Sequence, residues 1–301
     1  MSTPSTLSQL SDELAALAEK AGQSVVLVNA RRRQPASGVV YAHGLVLTAD
    51  HVIQREENIA VELPGGEQLS ALLAGRDPTR DLALLRLEKA AGQPALPFRA
   101  SPKPGSLTLA IARPDSGGLQ ASLGMIMSVS GPIRRGHSAL FDSIIRASVT
   151  PYPGFSGGAL VDMHGNLLGL NTSGIAMGLL LTIPAAAAWE TAAMLEAHGR
   201  VRRAYLGVRS QPVPLAPAQQ IALGRPQAAA LLLVGVEPES PAQKAGLLIG
   251  DLLTSLDGKF LIDPEDLQIA LSGDRVGAEG LLEILRGEQR LERKVLLGER
   301  T

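Results

Sequence analysis

Three residues far apart in the chain have the types that acyl transfer needs: His51, Asp81 and Ser156, separated by 30 and then 75 residues. A serine hydroxyl is a weak nucleophile, so it needs an imidazole to take its proton and a carboxylate to fix the imidazole's tautomer. Ser156 lies within Gly154, Phe155, Ser156, Gly157 and Gly158. Glycine lets the backbone come close to a substrate carbonyl, so that N–H groups flanking the serine can point at the developing oxyanion, each worth about 3 to 4 kcal/mol. In this reading Gly154 and Ser156 supply the two N–H groups, and Phe155 completes the oxyanion loop between them.

Each residue also has a plainer explanation. A histidine after a strand is commonly a surface residue, an aspartate before one is commonly a turn residue, and Asp77 is a rival four residues before Asp81. Their joint occurrence in the order His, Asp, Ser points to trypsin-like chemistry. The pentad also fits the G-x-S-x-G elbow of α/β-hydrolases, in which a strand turns sharply into a helix and the histidine comes last. Here GALVD, a turn at His164, Gly165 and Asn166, and LLGLNT predict a hairpin instead, while His164 and His198 read as turn and helix-end residues.

The elements that must position these residues are short apolar runs broken by turn residues. From Ser24 to Arg113 they read SVVLVNA, GVVYA, HGLVLTA, NIAVELPGG, LSALLAGRD, DLALLRLE and LTLAIARP; after Gly118 they resume as GMIMSVSG, DSIIRAS, GALVD, LLGLNT and GLLLTIP. Runs of this length and spacing predict an all-β barrel architecture. A helix is predicted over 185–198, ending at Gly199, and Arg200, Arg202 and Arg203 lead into a second unit near residue 200. There, Asp257 and Gly258 predict a hairpin turn, and Asp263 with Pro264 predicts a helix over 264–271.

Composition narrows the function classes. A chain of 301 residues exceeds the usual single domain of roughly 100 to 200, so two units are expected. With 28 basic and 29 acidic residues the net charge is −1, which offers no field for nucleic acid or anionic lipid. The absence of cysteine removes disulfides, thiolate chemistry and cysteine zinc sites. No cofactor and no metal are expected.

Residues 1–22 lack a basic leader followed by an apolar run, and Leu10, Leu14, Leu17, Ala18 and Ala21 fall at helical spacing. They predict an amphipathic helix, and no stretch of about 18 apolar residues predicts a membrane span. With Met1 as the native start a cytoplasmic protein is expected; an exported protein whose signal has been removed would look the same.

TADHVI, GRDPTRDLALLRL, PGFSGGALVDMHGNLLGLNT and LTIP together resemble the HtrA/Deg family of PDZ-containing, chymotrypsin-fold serine proteases, over about residues 20 to 298. The resemblance implies a mainly β chain of two six-stranded barrels followed by one PDZ domain. It divides the chain into an amino-terminal oligomerisation helix (1–22), a trypsin-like protease domain (23–199) and a PDZ domain (204–299). It makes His51 the general base, Asp81 its orienter, Ser156 the nucleophile, and Gly154 with Ser156 the oxyanion donors. Phe155 stands where the family typically has Asn, so the 154–155 peptide is expected either to be held by packing or to flip.

The resemblance extends to specificity and partners. Pro151 and Tyr152 with Gly178, Leu179, Leu180 and Leu181 are expected to bound the S1 pocket, which holds no acidic residue and so suits small or medium aliphatic side chains; the plainer reading makes the leucines barrel core. In the PDZ domain, YLGV (Tyr205, Leu206, Gly207, Val208) would capture a terminal carboxylate through backbone amides, opposite a wall formed by Leu267 and Leu271. A PDZ fold that only packs on its protease is the alternative. Arg134 and Arg135 are either solvated loop charges or a relay between peptide binding and the oxyanion loop. The implied function is an endopeptidase for unfolded or tagged proteins, assembled as a homotrimer, with the PDZ domain binding peptide carboxyl termini. A peptide-binding, chaperone-like protein with a latent or impaired protease site is the alternative.

Overall fold

In a computed structural model of the chain, the described residues are 5–32, 34–89, 92–98, 102–131, 133–135, 138–141, 143–175, 179–201, 204–271 and 275–299. Gly178, Arg202 and Arg203 lie outside them. The chain forms two compact units, Met1–Ile133 with Leu140–Val201 and Arg202–Thr301 with Arg134–Ala139. Among the described residues no helix is long and apolar enough to cross a membrane.

Helix α1 (Thr6–Gly22) opens the chain, with the Ser5 hydroxyl accepting the Ser8 N–H as its amino-terminal cap. Leu14 and Leu17 from the predicted stripe pack on the core of the first unit, while Leu10 stays exposed. The first barrel closes from β1 (Val25–Asn29), β2 (Ala36–Ala42), β3 (Leu45–Thr48), β4 (Ile59–Glu62), β5 (Gln68–Asp77) and β6 (Leu82–Leu87) in the order β1-β2-β3-β6-β5-β4. Next come β7 (Leu107–Ala112), β8 (Gln120–Ser130) and a two-stranded ribbon of β9 (Ile133–Arg135) and β10 (Ser138–Phe141), so Arg134 and Arg135 occupy a short strand rather than a loop. With β11 (Ile144–Ala147), β12 (Ala159–Asp162), β13 (Leu167–Thr172) and β14 (Leu181–Pro184), the second barrel closes in the order β11-β14-β13-β12-β7-β8.

These barrels follow from the sequence pattern. β1 and β3 are buried on both faces, which is why VVLV and LVL read as continuous Val and Leu runs rather than alternating ones; β13 (LLGLNT) is likewise buried throughout. Between the barrels lies a shared core in which Leu47, Leu82 and Leu84 of the first meet Ile111, Val161, Leu170 and Ile183 of the second. Helix α2 (Ala185–His198) adds Ala188, Ala192 and Leu195 to it and ends on Gly199 in the left-handed region. The single tryptophan, Trp189, packs edge-to-face on Tyr41 and at a tilt against Phe98, with ring centroids 5.4 and 5.8 Å away.

In the second unit, β15 (Ala204–Tyr205) precedes β16 (Val208–Pro214), α3 (Pro217–Leu223), β17 (Ala229–Val236), α4 (Pro241–Lys244), β18 (Leu252–Leu256), β19 (Lys259–Phe260), α5 (Pro264–Ala270), β20 (Glu279–Arg286), β21 (Gln289–Leu296) and β22 (Gly298–Glu299). The sheet order is β16-β17-β18-β20-β21, with β19 on β18 and β15 paired to β22. Asp257 and Gly258 both have positive φ in the two-residue turn between β18 and β19, the type I′ geometry their sequence predicts. Asp263 caps α5 by accepting the Glu265 and Asp266 N–H groups, and Asp266 returns a bond to the Asp263 N–H.

Candidate active site

His51 sits in a 3-10 turn, Asp50–Val52, that follows β3, and Asp81 sits immediately before β6, its neighbour in the barrel. The rival aspartate is occupied elsewhere. Asp77 Oδ1 accepts the N–H groups of Thr79 and Arg80 at 3.0 and 3.4 Å, closing the turn that delivers Asp81. Asp81 itself has φ +54°, in the left-handed region that aspartate tolerates better than most side chains. Both its carboxylate oxygens lie 2.9 Å from His51 Nδ1, and Oδ1 also accepts the His51 backbone N–H at 2.8 Å. Thr172 donates its hydroxyl to Oδ2. A carboxylate bonded at Nδ1 fixes the ring orientation and the tautomer, which leaves Nε2 as the free proton acceptor.

Two neighbours keep this pair undisturbed. Asp50, adjacent to the histidine, is taken by Arg76, whose Nε donates to it at 2.6 Å; that hydrogen bond holds the Arg76 guanidinium above its ordinary pKa. Gly174 lies against the pair so closely that a Cβ there would meet Asp81 Oδ2 at 2.5 Å and His51 Nδ1 at 2.6 Å.

Across the cleft, Ser156 precedes β12 of the second barrel and is 6% exposed. Gly154 and Gly157 on either side have φ of +85° and +83°. The loop is pinned by its carbonyls: Ser37 donates its hydroxyl to Gly154 O at 2.8 Å and its N–H to Ser156 O at 3.1 Å. The Phe155 N–H is spent on Tyr152 O at 3.2 Å, whereas the N–H groups of Gly154 and Ser156 meet no acceptor among the described residues. Of the three loop residues, only those two therefore have N–H groups free to bond an oxyanion. The Phe155 side chain is wholly buried among Ile145, Leu160, Leu168 and Leu180, with Tyr152 stacked at 5.7 Å. Of the two expectations for the 154–155 peptide, packing is the one with contacts to support it.

The hairpin after Ser156 is a hairpin of strands, β12 to β13, and its turn is closed by Asp162 accepting the N–H groups of His164 and Asn166. His198 ends α2 in solvent. Neither histidine approaches Ser156, so no elbow of the α/β-hydrolase kind is present. The Ser156 hydroxyl instead meets a residue that sequence reasoning did not single out: Ser173 Oγ at 3.0 Å, with the Ser173 N–H donating to it at 3.2 Å.

Comparison with known proteins gives this geometry a context. The trypsin-like peptidase domain matches residues 36–170 and the PDZ domain matches residues 204–297. A probable periplasmic serine endoprotease DegP-like of Ectopseudomonas mendocina (strain ymp) is 34% identical over 267 residues, covering 86% of this chain and 55% of the relative. The chain belongs to the HtrA/Deg family. A probable periplasmic serine protease do/HhoA-like of Haemophilus influenzae is 32% identical, covering 83% of the chain and 55% of the relative. This HtrA-family chain thus spans about half the length of the curated relatives it matches. Among solved structures it is similar to the HtrA-type protease AlgW with decapeptide (TM-score 0.76, 27% identity, 95% of this chain and 98% of that one). It is also similar to the serine endoprotease from Yersinia pestis (TM-score 0.74, 27% identity, both chains fully covered).

The remaining candidate residues of this HtrA-family chain are less evenly placed. Pro151, Tyr152 and Leu179 are exposed, Leu180 is buried against the Phe155 cluster, and Leu181 points into the shared core of the barrels. Leu180, just before β14, and Leu181, its first residue, thus pack in different clusters. In the second unit, Leu206 and Leu267 are buried in one core cluster, with Val208 and Leu271 partly buried at its edge. The carbonyls of Leu206 and Gly207 are taken by the N–H groups of Ala242 and Glu237, at 2.8 and 2.9 Å. Their own N–H groups have no acceptor among the described residues. Tyr205 is tied back by its hydroxyl to Glu237.

Proposed function

We propose that the chain is a serine endopeptidase that cleaves unfolded or tagged proteins through an acyl-enzyme. Ser156 is the nucleophile, His51 Nε2 takes its proton, and Asp81 fixes the imidazole. The N–H groups of Gly154 and Ser156 stabilise the oxyanion, and His51 returns the proton to the leaving amine. The observation that carries this reading is the His51–Asp81 pair, with both carboxylate oxygens 2.9 Å from Nδ1 and Oδ1 also on the His51 N–H. Pro151, Tyr152, Leu179 and Leu180 bound the S1 pocket, and the lack of an acidic residue there favours aliphatic side chains before the scissile bond.

The second unit binds peptide carboxyl termini by strand addition, with the N–H groups of Leu206, Gly207 and Val208 capturing the carboxylate. The similar HtrA-type protease AlgW is described with a decapeptide, which supports peptide binding by a chain of this architecture. The proposed division is 1–22 for oligomerisation, 23–199 for proteolysis and 204–299 for peptide binding, with a homotrimer built through α1 and the barrels. The names of the relatives support an exported, periplasmic location in place of the cytoplasmic one.

One observation favours the second reading, a peptide-binding protein with a latent site: the Ser156 hydroxyl bonds Ser173 rather than the His51 ring. Incubating the protein and its Ser156→Ala variant with unfolded casein and with a fluorophosphonate probe separates the two. Cleavage and labelling that depend on Ser156 are expected; identical behaviour of the two proteins would refute the endopeptidase.

A further inference from the structure

We infer that Ser173 is a positioning residue that holds the nucleophile off its base at rest, so that catalysis begins when Ser156 exchanges the Ser173 hydroxyl for the His51 imidazole. This rests on the endopeptidase reading of the same site. A serine hydroxyl has one proton to give and two lone pairs to accept with. Ser156 Oγ accepts the Ser173 N–H at 3.2 Å and shares a hydrogen bond with Ser173 Oγ at 3.0 Å; among the described residues it has none with the His51 ring. If Ser156 donates to Ser173, its proton is withheld from Nε2. If Ser173 donates, the Ser156 proton is free but both lone pairs needed for attack are occupied.

The surroundings make Ser173 more than a neighbour. It leaves the end of β13 within a three-residue segment that touches every member of the site. Thr172 donates to Asp81, Ser173 bonds Ser156, and Gly174 lies against the His51–Asp81 pair while its N–H donates to Thr172 Oγ1 at 2.9 Å. Ser173 is exposed whereas Ser156 is buried, so an incoming substrate chain meets Ser173 before it meets the nucleophile. A substrate that turns the Ser173 hydroxyl aside frees that of Ser156 and leaves Thr172 and Gly174 in place against Asp81 and His51.

The test is the rate at which a fluorophosphonate labels the full chain. In that step the Ser156 Oγ–P bond forms, P–F breaks, fluoride leaves and the proton passes to His51. Exchanging one hydrogen bond is worth about threefold to tenfold in rate. Ser173→Ala and Ser173→Gly are therefore expected to raise the maximal labelling rate by about that factor, leaving the half-saturating probe concentration unchanged. Ser173→Thr, which keeps a hydroxyl, is expected to return the wild-type rate, a rescue that a merely structural role would not give. Two folded variants no faster than wild type, with wild-type labelling dependent on Ser156, overturn the latch alone. Wild type, Ser173→Ala and Ser156→Ala all equally unreactive overturn the endopeptidase and the latch with it.

Discussion

Ser37 donates its hydroxyl to the carbonyl of Gly154, 117 residues away, at 2.8 Å, and so ties the first barrel to the loop that carries the nucleophile. No polar group of Ser37 is idle: its N–H reaches Ser156 O, its carbonyl accepts from Thr48 Oγ1 at 2.7 Å, and its hydroxyl accepts the Arg113 N–H at 2.9 Å. Fixing the Gly154 carbonyl limits how the loop backbone can turn, and with it where the adjoining N–H groups point. The loop's hold is thus divided between this bond and the buried ring of Phe155.

Ser37→Ala leaves the Gly154 carbonyl and the Arg113 N–H without their partner in a fully buried site. A stability loss of about 1 to 3 kcal/mol is expected, together with a fall in kcat of about tenfold or more as the oxyanion donors lose their aim. Thermal unfolding and casein cleavage measured on one preparation decide it; unchanged kcat would mean that packing alone holds the loop.

Gly174→Ala places a methyl group 2.5 Å from Asp81 Oδ2 and 2.6 Å from His51 Nδ1, so the segment or the pair must move. A displacement approaching 1 Å of a catalytic group costs about 100-fold in rate. The expected result is a loss of that order in kcat, because the clash falls on the general base and the carboxylate that orients it. Full activity in a folded variant would contradict the placement of Gly174.

Phe155→Ala removes a wholly buried ring from the cluster of Ile145, Leu160, Leu168 and Leu180. Truncations of this kind cost about 3 to 5 kcal/mol. Here activity is expected to fall further than stability requires, since the ring also anchors the peptide between Gly154 and Ser156. Comparing kcat of the variant with wild type well below both melting temperatures isolates that second effect.

How much of this was legible in the sequence follows from how local each signal is. The barrel strands were readable because β1 and β3 are continuous apolar runs, and His51 and Asp81 because each abuts such a run. Ser37 was not, since its partners depend on how the two barrels come together, and Ser173 was not, since its partner depends on the register of β12 with β13. The hairpin offered a hint: Gly157 N–H to Asn171 O and Asn171 N–H to Gly158 O, both 2.8 Å, set Ser156 beside the residues that follow Thr172. The run GLLLTIP does not tell its leucines apart, whereas in the fold Leu180 packs with Phe155 and Leu181 between the barrels. The Pro-rich stretch around Pro212 and Pro214 hid β16, which tolerates proline because it is the edge of its sheet.

Acid should act on the second unit through Glu283. Burial pushes its carboxyl up, but hydrogen bonds from Arg225 and Thr254 and the charges of Arg225 and Arg290 outweigh burial and leave it below the ordinary value of 4.5. A carboxylate depressed in the folded state adds stability above its unfolded pKa and loses it as pH falls through the folded value. Glu283→Gln is therefore expected to lower the melting temperature near neutral pH and to flatten its decline below about pH 4.5. Parallel acid curves for variant and wild type would remove Glu283 from this role.

Carboxylate capture by the second unit depends on a backbone turned inside out. The Leu206 and Gly207 carbonyls are anchored inward by the N–H groups of Ala242 and Glu237, which turns the N–H groups across the same peptides, those of Gly207 and Val208, the opposite way, and Gly207 adopts φ +83° to do so. A Cβ at Gly207 would lie 2.2 Å from Ser240 Cβ, so Gly207→Ala is both strained and crowded. Hydrogen bonds to a charged group are worth about 1.5 to 3 kcal/mol. A peptide with a free carboxyl terminus is expected to bind at least about tenfold more tightly than its amidated form. Gly207→Ala should erase that difference while Ser156-dependent labelling by the fluorophosphonate persists. Equal affinity for acid and amide in the wild-type protein, measured by fluorescence anisotropy, would leave the unit as a domain that binds peptides through side chains alone.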